Sequence, residues 1–335
     1  MRYSGLFVRK IPFELSGFDT IYTMITTLTP NPSVDRTLLV EKIRFNEVIR
    51  TNDGRIDWGG RGFNVSRALR ILREESRAIA WVGGSTGKML EDGLTRLGVH
   101  TDLIWVDAET RSNTLILEDE GEWYVRVNEG GPAIPSEAIQ AMLDKAAQLA
   151  KPNSIWVLAG SLPQAVPEDF YAQLIELLNA RGVRVFFDAS DEPLRLGLQQ
   201  APFLVKPGVL EAEAYLGFTI KNYDDAKRAA LAFLRTGVKH VGLSLDDMGL
   251  LLATQHEMVL ATPPRMPVKV ATGASDAIMA GVVLGFFRGM SLQDIARLGA
   301  AFGAATIQKG ALSAVRQADV DAMLSRVEVR VINVM

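Results

Sequence analysis

Residues 272–276 read Thr272-Gly273-Ala274-Ser275-Asp276 and run into Ala277-Ile278-Met279-Ala280-Gly281. The pattern is a small-residue turn opening a long apolar helix, with a carboxylate in its first turn. Helix N-termini present unpaired N–H groups and a partial positive charge. Small residues let an anion approach that backbone closely. An Asp held there stays ionised and faces whatever the anion site holds. An anion cradle beside a carboxylate base is the minimal machinery for moving a phosphoryl group onto a hydroxyl. An Asp at that position also serves simply as a favourable helix start, so the segment needs company.

A second glycine cluster, Trp58-Gly59-Gly60-Arg61-Gly62-Phe63-Asn64, also runs straight into a helical pattern. Three glycines in four positions cost backbone entropy, which implies close approach by a ligand or another segment. Asn64 there caps the helix or hydrogen-bonds a polyol. Asp35 follows the first strand, at the carboxyl edge where open α/β sheets bind ligands, and a carboxylate accepts two sugar hydroxyls well. Gly160-Ser161-Leu162-Pro163, Lys206-Pro207-Gly208 through Glu211, and Ser244-Leu245-Asp246 end strands on the same edge. Gly83-Gly84-Ser85-Thr86-Gly87-Lys88 looks like a P-loop but is one residue short, with Met89 where Ser or Thr is required. It is expected to be a strand-to-helix turn with no nucleotide role.

These residues must be carried by an alternating frame. Strands are expected at Met24–Thr29, Ala78–Val82, Leu103–Val106, Ile155–Ala159, Val183–Asp188, Phe203–Lys206, His240–Leu245 and Leu250–Ala253. Helices are expected at Asn64–Glu75, Lys88–Leu97, Ser136–Leu149, Glu168–Ala180, Asp224–Arg235, Asp276–Arg288 and Leu292–Ile307. Apolar strands alternating with amphipathic helices imply a three-layer α/β/α sandwich around a mostly parallel sheet. Leu38–Asp57 and Asn113–Asn128 break the rhythm, with a hairpin turn at Glu118–Glu122. They are expected to form a small β-sheet lid, from about residues 36–58 and 110–130, that covers the site or pairs with another subunit.

Composition bounds the rest. The chain has 335 residues, 48% hydrophobic and 22% charged, with a net charge of -3 and no cysteine. No basic field points to nucleic acid or an anionic membrane. The absence of cysteine excludes disulfides, thiol nucleophiles and cysteine-ligated metals, and agrees with a cytoplasmic location. His100, His240 and His256 lie far apart, without metal-ligand spacing. The apolar run Ala277–Phe287 is too short to span a bilayer. Residues 1–23 lack the apolar core of a secretory signal and read as an N-terminal extension or the product of an upstream start codon. The core pattern runs from residue 24 to 329, with 330–335 as a tail.

Taken together and in order, the segments TLTPNPSVD, NEVIRT, GGRGFNVSRALRIL, TRSN, GSLP, FFDAS, KPGVLE, SLDDMG and TGASDAIMAG resemble the phosphofructokinase-B branch of the ribokinase superfamily, over Met24 to Val329. The resemblance is greatest to the 1-phosphofructokinase and tagatose-6-phosphate kinase group. It implies a ribokinase-like fold and an ATP- and Mg²⁺-dependent carbohydrate kinase. Asp276 would be the base, with Gly273, Ala274 and Ser275 forming the anion hole. Asp35, Gly59, Gly60, Arg61 and Asn64 match sugar-binding positions. Arg50 and Arg111 match basic positions that neutralise a substrate's own phosphate, and Asn128 a position near the lid. Lys206, Ser244, Asp246, Gly249 and Thr272 fall on the nucleotide side, and Glu211 where Mg²⁺ is organised through water.

The departures from the family pattern gather on the nucleotide side. Ser275 stands for the second Gly of G-A-G-D, Arg61 for the lysine of G-G-K-G, Gly208 for the Asn of N-x-x-E, and Asp246 and Asp191 for glycines. The expected reaction is phosphoryl transfer from ATP to a phosphorylated ketohexose, fructose 1-phosphate first, with tagatose 6-phosphate and fructose 6-phosphate as alternatives. The rival reading is a degenerate kinase that senses a sugar phosphate. A homodimer through the lid sheet is the expected assembly.

Overall fold

The chain is described by a computed structural model covering residues 24–51, 53–119, 123–266 and 272–333. Residues 1–23, the hairpin tip at 120–122 and the last two residues of the expected tail lie outside the described residues.

In chain order the strands are β1 (Ile25–Thr29), β2 (Ser33–Val40), β3 (Asp53–Gly59), β4 (Arg77–Val82), β5 (His100–Thr101), β6 (Ile104–Trp105), β7 (Arg111–Glu118), β8 (Tyr124–Asn128), β9 (Ile155–Ala159), β10 (Arg184–Asp188), β11 (Leu204–Val205), β12 (His240–Ser244), β13 (Leu250–Ala253), β14 (Met258–Thr262) and β15 (Glu328–Ile332). The helices are α1 (Arg61–Ile71), α2 (Gly84–Arg96), α3 (Ser136–Leu149), α4 (Phe170–Asn179), α5 (Asp191–Leu198), α6 (Val209–Leu216), α7 (Tyr223–Leu234), α8 (Ala274–Phe287), α9 (Leu292–Lys309) and α10 (Gln317–Leu324).

The central sheet runs β15-β14-β13-β12-β11-β10-β9-β1-β4-β5, with β6 also on β4. It is parallel from β12 through β4 and antiparallel from β12 to β15. Successive strand residues enter opposite cores, as the two-residue period requires. On β9, Trp156 and Leu158 pack into one core with α3, α4 and α7, while Ile155 and Val157 pack into the other with α1, α8, α9 and α10. Both faces of the sheet are therefore covered, and each fully buried Leu, Phe or Ile contributes roughly 1.5–3 kcal/mol. A third cluster seats Val34 and Phe63 on Leu90 and Leu94 of α2.

The lid is a separate four-stranded sheet, β3-β2-β7-β8, parallel only between β2 and β7. Strands β2 and β3 lie between β1 and α1, and β7 and β8 between β6 and α3, so two insertions build it. Among the described residues no helix is long and apolar enough to cross a membrane.

Three local findings depart from expectation. Helix α1 begins at Arg61, with Gly60 as its N-cap, so Asn64 lies inside the first turn and is no cap. Helix α2 begins at Gly84, because Glu109 accepts the Ser85 and Thr86 N–H groups and both hydroxyls. Those bonds, from Thr86 first, pull the Glu109 carboxyl down to about 2. The P-loop-like turn is thus filled by the chain's own carboxylate. Residues 330–332, expected in a tail, belong to β15, which pairs with β14 from Thr262↔Glu328 to Met258↔Ile332.

Candidate active site

The site forms where β1, β10, β11 and β12 end and the N-termini of α1, α6 and α8 converge. Gly273 caps α8 at φ 84°, a left-handed conformation that favours glycine, and its carbonyl accepts the first helical bond, from Ala277. The N–H groups of Ala274 and Ser275 therefore lie in the turn that has no intrahelical acceptors.

Asp276 follows them, 6% exposed. Its Oδ2 accepts a 2.8 Å bond from Asn64 Nδ2, joining α8 to α1. Burial pushes the Asp276 carboxyl up to about 6, with Asp188 adding to the rise, while Arg61, the Asn64 bond and Lys206 oppose it. A carboxylate titrating there is still mostly ionised near neutrality and is better matched to proton abstraction than an ordinary one.

Beside it stands an ion network that no single motif announces. Lys206, 0% exposed, places Nζ 3.0 Å from Asp188 Oδ2 and donates a 2.7 Å bond to Ser275 Oγ. Arg61 donates to Asp188 Oδ1 at 2.8 Å and to Glu211 Oε1 at 3.4 Å. Burial pushes the Asp188 carboxyl up, but the Lys206 and Arg61 charges and their bonds outweigh it and hold it below its ordinary value. Asp188 pushes the Arg61 guanidinium further up. Arg61, expected with the sugar residues, is thus joined to Asp188 and Glu211, because the first turn of α1 points at the end of β10.

Ser275 occupies a glycine position of the family pattern, and its hydroxyl accepts from the buried ammonium. Gly208 has a similar local reason. Its N–H donates to Glu211 Oε2 at 3.1 Å, where an added Cβ would lie 2.6 Å from that oxygen. Glu211 is thereby oriented by Gly208 and Arg61. Among the described residues no three His, Cys, Asp or Glu side chains gather into a metal cage. Mg²⁺, which keeps several waters and binds through one or two carboxylates plus substrate phosphates, needs no cage, and Glu211 fits that mode.

Asp246 adopts φ 49° after β12. Burial raises its carboxyl, as do neighbouring Asp247, Glu211 and Glu213. Ser244 donates to the Pro207 carbonyl at 3.4 Å, and Gly249 turns the chain into β13. These residues and Lys206 share the ends of β11 and β12.

On the lid side, Ser33 Oγ and Asn113 Nδ2 both donate to Asp35 Oδ1, at 2.7 and 2.8 Å. Burial raises the Asp35 carboxyl, against those two bonds and the Arg111 charge. Gly59 is required here, since a Cβ would sit 2.2 Å from Asp35 Oδ2. Asp35, Asp57, Asn113, Arg126, Asn128 and Thr272 line a cavity of about 120 Å³. Thr272, expected among the nucleotide residues, is on this side, held by a bridge to Ala311. Arg111 donates to the carbonyls of Asn31 and Glu129, joining the points where the chain enters β2 and leaves β8. Arg50 is not in the cluster. It lines a separate surface cavity with Lys42 and Arg44.

Sequence reasoning missed Asp188, Arg67, Asn113 and Arg126 as site residues. Asp188 was findable, because it ends a buried strand on the ligand edge just as Asp35 follows one. The others lie in or beside segments already singled out, but nothing in their spacing says what they touch.

A buried carboxylate at a helix start with unpaired N–H groups, beside a small separate sheet that lines a polar cavity, is an arrangement suited to phosphoryl transfer onto a sugar. Residues 31–318 match the profile described as pfkB family carbohydrate kinase. A 1-phosphofructokinase from Bacillus subtilis is 33% identical over 284 residues, covering 84% of this chain and 92% of that protein. An ATP-dependent 6-phosphofructokinase isozyme 2 from Mycobacterium tuberculosis is 31% identical, covering 92% and 91%. The structure of phosphofructokinase-2 from Escherichia coli in complex with fructose 6-phosphate superposes with a TM-score of 0.83 at 28% identity, covering 90% of this chain and 98% of that one. The chain belongs to the PfkB family of carbohydrate kinases. It is a sugar kinase with the ribokinase-like fold.

Proposed function

We propose that the enzyme transfers the γ-phosphoryl of ATP to a hydroxyl of fructose 1-phosphate. The observation that carries the mechanism is Asp276, buried at the start of α8 and oriented by Asn64, with burial pushing its carboxyl up to about 6. The Asp276 carboxylate takes the proton of the attacking hydroxyl. The hydroxyl oxygen bonds to the γ-phosphorus as the bond to the bridging oxygen of ADP breaks. The N–H groups of Ala274 and Ser275 and the Arg61 guanidinium stabilise the charge on the transferring group. Lys206 supports Ser275 from below, and Asp188 holds both cations in place. Mg²⁺ supplies neutralisation of polyphosphate charge, and Glu211 would hold its waters. Asp35, Asn113 and Asn128 take sugar hydroxyls. Arg111 and Arg126 put positive charge at the lid cavity, which favours a phosphorylated sugar.

The relatives named 1-phosphofructokinase support the choice among phosphoketoses. A coupled ADP-release assay over sugars and sugar phosphates tests it. Turnover with fructose 1-phosphate, lost by orders of magnitude in Asp276→Asn while sugar binding by calorimetry persists, is the expected result. Near-wild-type turnover in that variant would sink the mechanism. Turnover with another sugar alone would replace the substrate.

One observation favours a sensor as the second reading: Asp246, Asp247, Glu211 and Glu213 form an acidic group where polyphosphate would sit. Sugar phosphate binding without ATP binding would decide for it. The assembly we propose is a homodimer through the lid. Its edge strands β3 and β8 expose Ile56, Tyr124 and Val127, with Trp123 beside them, and open apolar edges invite pairing.

A further inference from the structure

Arg67 is a side chain 8% exposed that serves two structures at once. It follows Asn64 by three residues on α1, so the two share a helix face. Arg67 Nη1 donates to Asn64 Oδ1 at 3.1 Å and to the Trp58 carbonyl at 2.9 Å. Its Nη2 donates to Asp57 Oδ1 at 3.1 Å, and Asp57 Oδ2 accepts from Arg55 Nε at 2.8 Å. Arg55, Asp57 and Trp58 all belong to β3 of the lid. We propose that Arg67 is a positioning residue for the base: it locks the Asn64 amide with its NH₂ toward Asp276 and ties that lock to the lid strand. The proposal rests on Asp276 being the base.

The lock follows from what each group can do. An ionised carboxylate only accepts, and a guanidinium only donates. With both flanking it, the Asn64 amide has one satisfied orientation, oxygen to Arg67 and NH₂ to Asp276. Without Arg67 the amide oxygen loses this donor, and a flipped amide would set oxygen against the Asp276 carboxylate. The two orientations then compete, and the base is neither aimed nor held in its ionised form as well. Because the same guanidinium grips Asp57 and the Trp58 carbonyl, a shift of β3 pulls on the lock. The lid can thereby set the base as it closes. The other charges acting on Asp276 are Arg61 on α1, Asp188 at the end of β10 and Lys206 beyond β11.

The test compares full-length wild type with Arg67→Met, Arg67→Lys and Asp57→Asn. The Asp276 carboxyl is followed by carbon NMR through a pH titration and assigned by its loss in Asp276→Asn. In wild type the midpoint is expected at about 6. Losing the Asn64 bond moves it upward in Arg67→Met. Arg67→Lys keeps the charge but gathers its donors on one nitrogen and lacks the guanidinium fork that reaches Asn64, Trp58 and Asp57 together, so it should fall between. Misaiming the base lowers kcat by about tenfold to a hundredfold, with sugar phosphate affinity nearly unchanged. A role confined to holding the fold together would lower the melting temperature and leave the midpoint in place, and that result overturns the proposal. If Arg67→Met does not fold, an unmoved midpoint in both Arg67→Lys and Asp57→Asn overturns it equally. Turnover retained in Asp276→Asn refutes the base itself. An inactive Asp276→Asn beside an unmoved Arg67 series refutes the positioning alone.

Discussion

Asp188→Asn tests the ion network at its hub. Asp188 is 2% exposed and meets two cations, Lys206 at 3.0 Å and Arg61 at 2.8 Å. Arg61 is partly open to the cleft and keeps Glu211, so solvent softens its loss. Lys206 has no such outlet. With an amide opposite, its ammonium stays buried with only neutral acceptors, the Ser275 hydroxyl and the amide oxygen, and no opposing charge in direct contact. Removing one partner of a buried pair costs about 3–5 kcal/mol. In a chain of this size that lowers the melting temperature by roughly 4–7 °C. The sign with pH is also fixed. The native Asp188 carboxyl lies below its unfolded value of 3.8. Its contribution is complete above that range and is lost as pH falls through the native value, so wild type and variant converge in acid. Urea unfolding at pH 7 and below pH 4 measures both. Adding Lys206→Met to Asp188→Asn removes the stranded charge and should recover part of the loss, a coupling of about 1–3 kcal/mol. A loss below ~1 kcal/mol at pH 7, or strictly additive losses in the double variant, would refute the reasoning.

Two further changes read the nucleotide edge and the lid. Asp246→Gly removes a carboxylate from the acidic group and frees a left-handed position at φ 49°. The relief of about 1–2 kcal/mol is offset by glycine's entropy cost of roughly 0.5–1 kcal/mol, so stability should barely move while KM for ATP falls severalfold. An unchanged or higher KM means the carboxylate does not face nucleotide. Replacing Trp123 and Tyr124 together by Lys should convert a dimer to monomer in sedimentation equilibrium. A wild type that is already monomeric at micromolar concentration removes the lid interface.

The frame was legible because its signals are local. Ser136–Leu149, Ile155–Ala159 and Leu250–Ala253 form the expected elements residue for residue, the first declared by its helical period and the other two by short unbroken apolar runs. Short elements carried no such signal. Helices α5, α6 and α10 have eight residues each, too few for a period to declare itself, and β15 alternates only partly buried residues. The same divide runs through the site. Asp276 and its helix start could be read from the five consecutive residues Thr272 to Asp276 and the apolar run after them. The hub could not, because its bonds span 127 positions from Arg61 to Asp188 and 69 from Lys206 to Ser275. That distance changes how the departures from the family pattern are understood. Read singly, Ser275, Gly208 and Arg61 weaken the nucleotide side. In the fold they touch one another's partners: Ser275 takes the Lys206 ammonium, Gly208 orients Glu211, and Arg61 joins Glu211 to Asp188. Three substitutions that engage one network are better explained by a rearranged phosphate site than by decay. Asp191 and Asp246 are the departures outside that network, and Asp246, among its acidic neighbours, carries the weight of the sensor reading.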